Sequence, residues 1–164
     1  MSQLKAVQIQ GWLKDVNDNF AVLGPVGSDV GLGVLRCARF EFDAGVVANR
    51  TVAAHGTGVK IPANAIVTGG FVNVNTAFTS ASTNTGTIAI SVEAANDIIS
   101  AAAVSGAPYS TIGRKAIVPK SSTPESTSVL ATVEREITCT VAVAALLTGK
   151  LTGYLNYVEG DASA

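Results

Sequence analysis

The sequence predicts an all-β protein, an antiparallel jelly-roll-like sandwich of about eight strands with an extended N-terminal arm. Several runs alternate apolar and polar residues with a period of two. Clusters of Gly, Pro, Asn, Ser and Thr separate these runs roughly every 8 to 12 residues, the spacing of a sandwich or barrel. Hydrophobic residues make up 48% of the 164 residues but aromatic residues only 5%, so small strand formers supply the core.

Residues 1–34 are predicted to form the N-terminal arm, because their apolar side chains follow neither a helical nor a strand period. The arm contains the only tryptophan, and a large aromatic side chain in an irregular segment is a typical interface anchor. The alternative is that this segment folds back onto its own sheet. The candidate partner-binding residues are Trp12, Leu13, Val16 and Phe20.

The first strand is predicted at Leu35–Asp43, where the alternation places Arg39 and Glu41 together on the solvent face. Two short segments, 50–54 and 58–61, then flank a glycine-containing loop at His55. Together with the strands that follow, they make residues 35–158 the sandwich domain.

Residues 60–93 are the centre of the predicted fold. Two alternating runs in this stretch are joined by a Ser/Thr/Asn/Gly-rich loop, and they predict a pair of strands that forms the nucleus of a sheet. The first strand begins after Pro62, which cannot donate to a ladder, and bends or bulges at Gly69 and Gly70.

Residues 94–112 are ambiguous, and one or two helical turns capped by Asn96 or Asp97 are the favoured interpretation, ended by Gly106 and Pro108. A short strand at 113–119 and a solvent loop at 120–128 come next.

Two strong strands close the chain. Residues 136–147 are predicted to form a strand with one apolar face, which consists of Ile137, Cys139, Val141, Val143 and Ala145. A turn at Gly149-Lys150 then leads into a strand at 151–158. Residues 159–164 are predicted to be a flexible tail.

The sequence carries no pattern that indicates an enzyme, a metal site or a cofactor. His55 is the only histidine, so a catalytic triad has one candidate base, and three Cys and His residues in total are too few for zinc. The run DVNDNF at 15–20 lacks the later Glu of a calcium loop. Cys37 and Cys139 lie in apolar strand runs and are predicted to be free, shielded thiols, with a disulfide between them as the alternative.

Charge and hydropathy limit the possible partners. Charged residues are only 14% of the chain and the net charge is −1, which favours a surface covered by other protein. Lys and Arg form no cluster, so nucleic-acid binding is not expected. No run of about 18 apolar residues indicates a membrane span, and the N-terminus does not resemble a signal peptide, so synthesis in a cytoplasm is expected.

The stretches VKIPANAIVTGGFVNVNTAFTSASTNTGTIAISVEAANDI and GKLTGYLNYV, within residues 50–158, resemble capsid decoration (cement) proteins of tailed bacteriophages. The resemblance lies in the general residue pattern and the order of the strands, without a diagnostic motif. It therefore assigns no functional residue. It implies a structural virion protein on the outside of an icosahedral capsid. The implied partners are the major capsid protein and the chain itself, in a homotrimer.

Two alternatives remain open at this point. One is another virion part, such as a head fibre base or a tail protein. The other is a jelly-roll carbohydrate-binding module, for which the aromatic candidates are Trp12, Tyr109, Tyr154 and Tyr157.

Overall fold

The structure is a computed structural model, and it describes residues 35–119 and 127–159. The predicted arm at 1–34, the greater part of the predicted loop at 120–128 and the end of the predicted tail lie outside the described residues. The strands are β1 (Leu35–Asp43), β2 (Ala54–Ile61), β3 (Ala65–Ser80), β4 (Thr87–Ser91), β5 (Ile99–Ala103), β6 (Gly113–Ile117), β7 (Val129–Leu130), β8 (Arg135–Ala142) and β9 (Leu146–Glu159). A 3₁₀ helix, Val47–Arg50, and a helical turn, Ala81–Asn84, complete the described elements.

The strands form two antiparallel sheets. The first has the order β1-β9-β3-β6, with β7 also pairing with β3, and the second has the order β2-β8-β4-β5. The pairs are nested, since β1 pairs with β9, β2 with β8, β3 with β6 and β4 with β5. This is one long folded hairpin wrapped into two layers, the connectivity of a jelly roll. The predicted all-β sandwich is confirmed.

The core lies between the two sheets, and strand alternation selects the residues that fill it. In β1, Ala38, Phe40 and Phe42 point inward, while Arg39 and Glu41 form the predicted ion pair on the solvent face. The largest fully buried side chains are Tyr109, Phe40, Ile61, Ile88, Ile90, Ile98, Ile137, Leu146, Leu151, Leu155, Val67 and Val72.

Strand β3 confirms the predicted start after Pro62 and the irregularity at the glycines, because its register with β9 shifts between Val67 and Gly69. The predicted pairing of β3 with β4 is wrong. The two strands belong to different sheets, and the turn between them carries the chain across the sandwich. A two-strand pattern in sequence contains no information about which layer each strand joins.

His55 lies within a continuous strand, β2, and not in the predicted loop. Gly56 and Gly58 do not end the strand; they accompany a register shift against β8 between Gly56 and Lys60. The Nε2 atom of His55 donates to the carbonyl oxygen of Thr51 at 2.8 Å. The glycines therefore mark a bulge.

The helical turns expected at 94–112 are replaced by strand β5. Asp97 does not cap a helix. Its buried carboxylate accepts hydrogen bonds from the backbone N–H groups of Val92 at 2.9 Å and of Glu93 and Ala94 at 2.8 Å. Asp97 thus fixes the loop that leads into β5. Its carboxylate accepts hydrogen bonds from backbone N–H groups, as it would at the N-cap of a helix.

The turn between the last two strands lies at Val143–Ala145 and not at Gly149-Lys150. Strand β8 ends at Ala142, Val143 has φ 69°, and Gly149 lies inside β9. A Cβ on Gly149 would lie 2.1 Å from the Phe78 ring, so this glycine serves close packing. The alternation of apolar residues continues through Val143 and Ala145, so the sequence pattern gives no sign of a turn there.

The two cysteines differ in exposure. Cys139 is buried and free, as predicted, and burial raises the pKa of its thiol to about 12. Cys37 is also free but exposed, so the prediction that it is shielded is wrong. Cys37 shares the outward parity of Arg39 and Glu41 in β1.

Candidate interaction surface

Four connections meet at one end of the sandwich, which we call the uncharged end: residues 44–53, 81–86, 104–112 and 143–145. Strand register places them together, because Asp43 is opposite Lys150, Ser80 is opposite Leu146, and Thr87 is opposite both Ala103 and Ala142.

Backbone hydrogen bonds fix the uncharged end. The amide of Ala44 donates to Gly149 and the amide of Ala81 donates to Ala145, each at 2.9 Å, and the amide of Val104 donates to Gly86 at 2.9 Å. These bonds join connections that are far apart in sequence. The surface is therefore preformed, which lowers the entropic cost of binding.

The uncharged end exposes apolar side chains and almost no charge. Arg50 is the one charged residue in the four connections, and its Nε donates to the carbonyl oxygen of Ala44 at 2.6 Å. The large apolar side chains exposed here are Val46, Val47, Val52, Ile112, Val143 and Leu147. An apolar surface rimmed by strands and lacking charge is typical of a protein contact.

Val143 is the most informative residue of this end. Its side chain is 72% exposed and its φ is 69°, a left-handed conformation that is costly for a β-branched residue. Within the described residues Val143 gains little burial in return. A partner that buries the Val143 side chain would compensate for this strained backbone conformation.

The opposite end of the sandwich is charged. Arg36 pairs with Glu159 at 2.8 Å, and Lys60 pairs with Glu134 at 2.6 Å. Glu93 accepts from Arg135 at 2.9 and 3.1 Å and from the Thr132 hydroxyl at 2.7 Å. The Arg135 and Thr132 hydrogen bonds lower the pKa of Glu93 to about 2.

We expect acid to destabilise the charged end. The pKa of Glu93 falls from 4.5 to about 2 on folding, so its contribution is complete above pH 4.5 and is lost as the pH falls toward 2. Thermal melts between pH 6 and pH 2 test this. Glu93→Gln should flatten the pH dependence of the melting temperature relative to Glu134→Gln, and equal slopes in the two variants would contradict it.

The structure describes only some of the candidate binding residues predicted from the sequence. Trp12, Leu13, Val16 and Phe20 lie outside the described residues, so their role remains a prediction. Of the aromatic candidates for sugar stacking, Tyr109 is fully buried, Tyr157 packs against the core, and Tyr154 lies on the outer face of the first sheet.

Sequence reasoning missed the uncharged end, although a signal was present. Each of its four connections has at most one charged residue, three of them contain Gly or Asn, and three of them contain valine. Only strand register shows that these segments lie together.

No group of three His, Cys, Asp or Glu residues suited to a metal ion occurs in residues 35–119 and 127–159. The same part of the chain has no helix that is long and apolar enough to cross a bilayer.

No protein-family model matches the chain, and no curated protein matches it in sequence. Solved structures do match its fold. The chain is similar to a chain in the acid-stable capsid of Helicobacter pylori bacteriophage KHP30, with a TM-score of 0.52 and 15% identity over 76% of this chain and 87% of that chain.

Two further capsid chains match equally well. The match to the cyanophage Pam1 capsid has a TM-score of 0.53 and 15% identity over 77% of this chain and 86% of that chain. The match to the capsid of Ralstonia phage GP4 has a TM-score of 0.51 and 16% identity over 79% of this chain and 87% of that chain. The chain therefore has a fold that is found in bacteriophage capsids.

Proposed function

We propose that this protein is a structural component of a bacteriophage virion, a capsid decoration protein that binds the outside of an icosahedral shell. The observation that carries the proposal is the fold shared with three phage capsid chains over 76–79% of this chain. In each comparison, about three-quarters of this chain matches almost nine-tenths of the capsid chain. The matched capsid chains are thus of similar size to this one and consist mainly of the shared fold.

We propose that copies of the chain meet at the uncharged end and form a homotrimer. An exposed apolar surface in a chain with a net charge of −1 needs permanent cover to stay soluble before the virion is assembled. Sister copies provide such cover. Symmetry then repeats each contact, so that modest contacts add up to tight attachment.

We assign attachment to the shell to the N-terminal arm, with Trp12, Leu13, Val16 and Phe20 as contacts to the major capsid protein. The chain enters the sandwich at Leu35, opposite Val158, at the charged end. An extended segment can add main-chain hydrogen bonds to a sheet edge of its partner. In this role the protein acts by binding and not by catalysis.

The oligomer is tested with Val143→Asp. Aspartate tolerates the left-handed backbone at this position, so the folded chain is not expected to lose stability. An unpaired carboxylate buried at each contact should weaken assembly by about 3 kcal/mol or more. Analytical ultracentrifugation should show three times the 16.6 kDa chain mass for the natural sequence and a single chain for the variant.

Val133→Asp is the matched control, since Val133 is 50% exposed and lies outside the uncharged end. It should keep the mass of the trimer. A Val143→Asp variant that stays trimeric would remove the uncharged end from the proposal. Electron microscopy of labelled virions separates the shell surface from a head fibre or a tail.

A further inference from the structure

A polar depression of about 420 Å³ lies on the outer face of the first sheet. Its lining comes from four adjacent strands: Arg39, Phe71, Asn73, Asn75, Arg114, Thr152 and Tyr154. Arg39 is already paired with Glu41, so the positive charge that this lining offers to a ligand is that of Arg114. The depression therefore favours a ligand that carries negative charge.

A row of stacked side chains forms the floor. The guanidinium carbon of Arg114 lies 4.7 Å from the centre of the Phe71 ring, and the Phe71 ring stacks on Tyr154 with centroids 4.7 Å apart. At the other end of the row, the Tyr154 hydroxyl and the Glu41 carboxylate raise the pKa of Arg39. The stacking holds the Arg114 guanidinium in place and leaves its N–H groups available.

Arg114 differs from the other cations of the described chain. Five of the lysines and arginines in residues 35–119 and 127–159 form ion pairs with carboxylates. Arg50 and Lys115 donate to backbone carbonyl oxygens. Arg114 has only the Phe71 ring in this part of the chain. Packing explains where Arg114 lies, but it leaves the donors of the guanidinium unused.

The neighbouring polar groups suit hydroxyl groups on a ligand. The Thr152 hydroxyl donates to the Asn75 Oδ1 atom at 3.2 Å, so the amide nitrogen of Asn75 stays available as a donor. Asn73 is opposite Thr152 in the ladder and opposite Arg114 in β6. Amide groups and a guanidinium at neighbouring positions can bind a carboxylate and adjacent hydroxyl groups at the same time.

The position in the sheet favours a sugar over a peptide. Peptides gain much of their affinity from backbone hydrogen bonds to a free sheet edge. Here the two central strands of the depression, β3 and β9, are paired on both sides by neighbouring strands, so a ligand that lies over them contacts side chains and not a free sheet edge. We propose that this depression binds a carboxylated saccharide, a uronic or sialic acid unit, with the carboxylate on Arg114 and the hydroxyls on Asn73 and Asn75.

The test uses the purified full-length chain without capsids, so its outcome is separate from that of shell attachment. Binding of glucuronate and of N-acetylneuraminate is measured by titration NMR, with glucose as the neutral probe. At least one acid should bind at least ~10-fold more tightly than glucose, and Arg114→Gln should weaken that binding by ~10-fold or more. Lys60→Gln removes one positive charge from the other sheet and should leave binding unchanged.

Three results would overturn the inference. The first is that neither acid binds in preference to glucose. The second is that Arg114→Gln and Lys60→Gln weaken binding equally, which would indicate general charge attraction. The third is that a glutamate-rich peptide, but neither sugar acid, binds with Arg114 dependence, since the depression would then accept protein carboxylates. A thermal melt confirms that each variant is folded.

Discussion

Deleting residues 1–20 is expected to leave a cooperatively melting β-sandwich that binds shells lacking the protein at least ~2 kcal/mol more weakly, a loss of about 30-fold. The physical reason is that different parts of the chain are expected to provide folding and attachment. Residues 35–119 and 127–159, the part that the structure describes, contain nine strands in two sheets and the core between them. The deleted segment carries the only tryptophan, which is the residue type most enriched in binding hot spots.

Co-sedimentation with shells of the parent phage, assembled without this protein, measures the affinity, and circular dichroism measures the fold. Trp12→Ala should reproduce most of the loss, whereas Lys14→Ala should bind as the natural sequence does. If the truncated chain does not fold, the arm is part of the core, and attachment belongs to the loops. If it folds and binds normally, residues 1–20 are not the attachment segment.

Gly70→Ala is expected to have the largest effect on stability, about 4 kcal/mol. An added Cβ would lie 2.0 Å from the carbonyl oxygen of Tyr154, and the φ of 150° at Gly70 is rarely adopted by other residues. The strained backbone costs roughly 1–3 kcal/mol and the overpacking a similar amount. Since Gly70 pairs with both Leu155 and Ile117 in the middle of the sheet, the clash cannot be relieved at an edge.

Gly58→Ala is the matched control. Gly58 also has a positive φ, at 75°, but a Cβ there would have no heavy atom within 4 Å. It should cost only about 1 kcal/mol. Thermal or urea unfolding of the two variants gives the comparison. Melting temperatures within a few degrees of each other would show that β9 moves away from Gly70 at little cost.

The sequence was sufficient to predict the strands but not their partners. Alternation predicted β1, β6 and the two faces of the strand around Arg39 correctly. A strand with one buried face alternates apolar and polar residues, and this period of two is visible in the sequence. The same alternation continued past Ala142 and hid the turn at Val143. Local pattern also placed β3 beside β4, although the jelly roll separates them into two layers.

The interaction surfaces were even less visible in the sequence. The uncharged end and the depression at Arg114 are each assembled from segments that are distant along the chain and meet only through strand register. Tyr154 is one of the aromatic candidates in the sequence, yet its partner Phe71 lies 83 positions away and stacks on it across the β3–β9 ladder. Pairwise contacts of this kind leave no periodic trace in a single sequence.

The nested pairing of the strands also determines when the sandwich can form. Strands β4 and β5 are neighbours in the chain, whereas β1 pairs with β9, the last described strand. Because β9 lies between β1 and β3, neither of these strands has its main partner until the ribosome has released β9. Such long-range pairing makes folding slow. It also leaves the edges of β1 and β3 open to other copies during synthesis, so correct folding competes with strand pairing between chains.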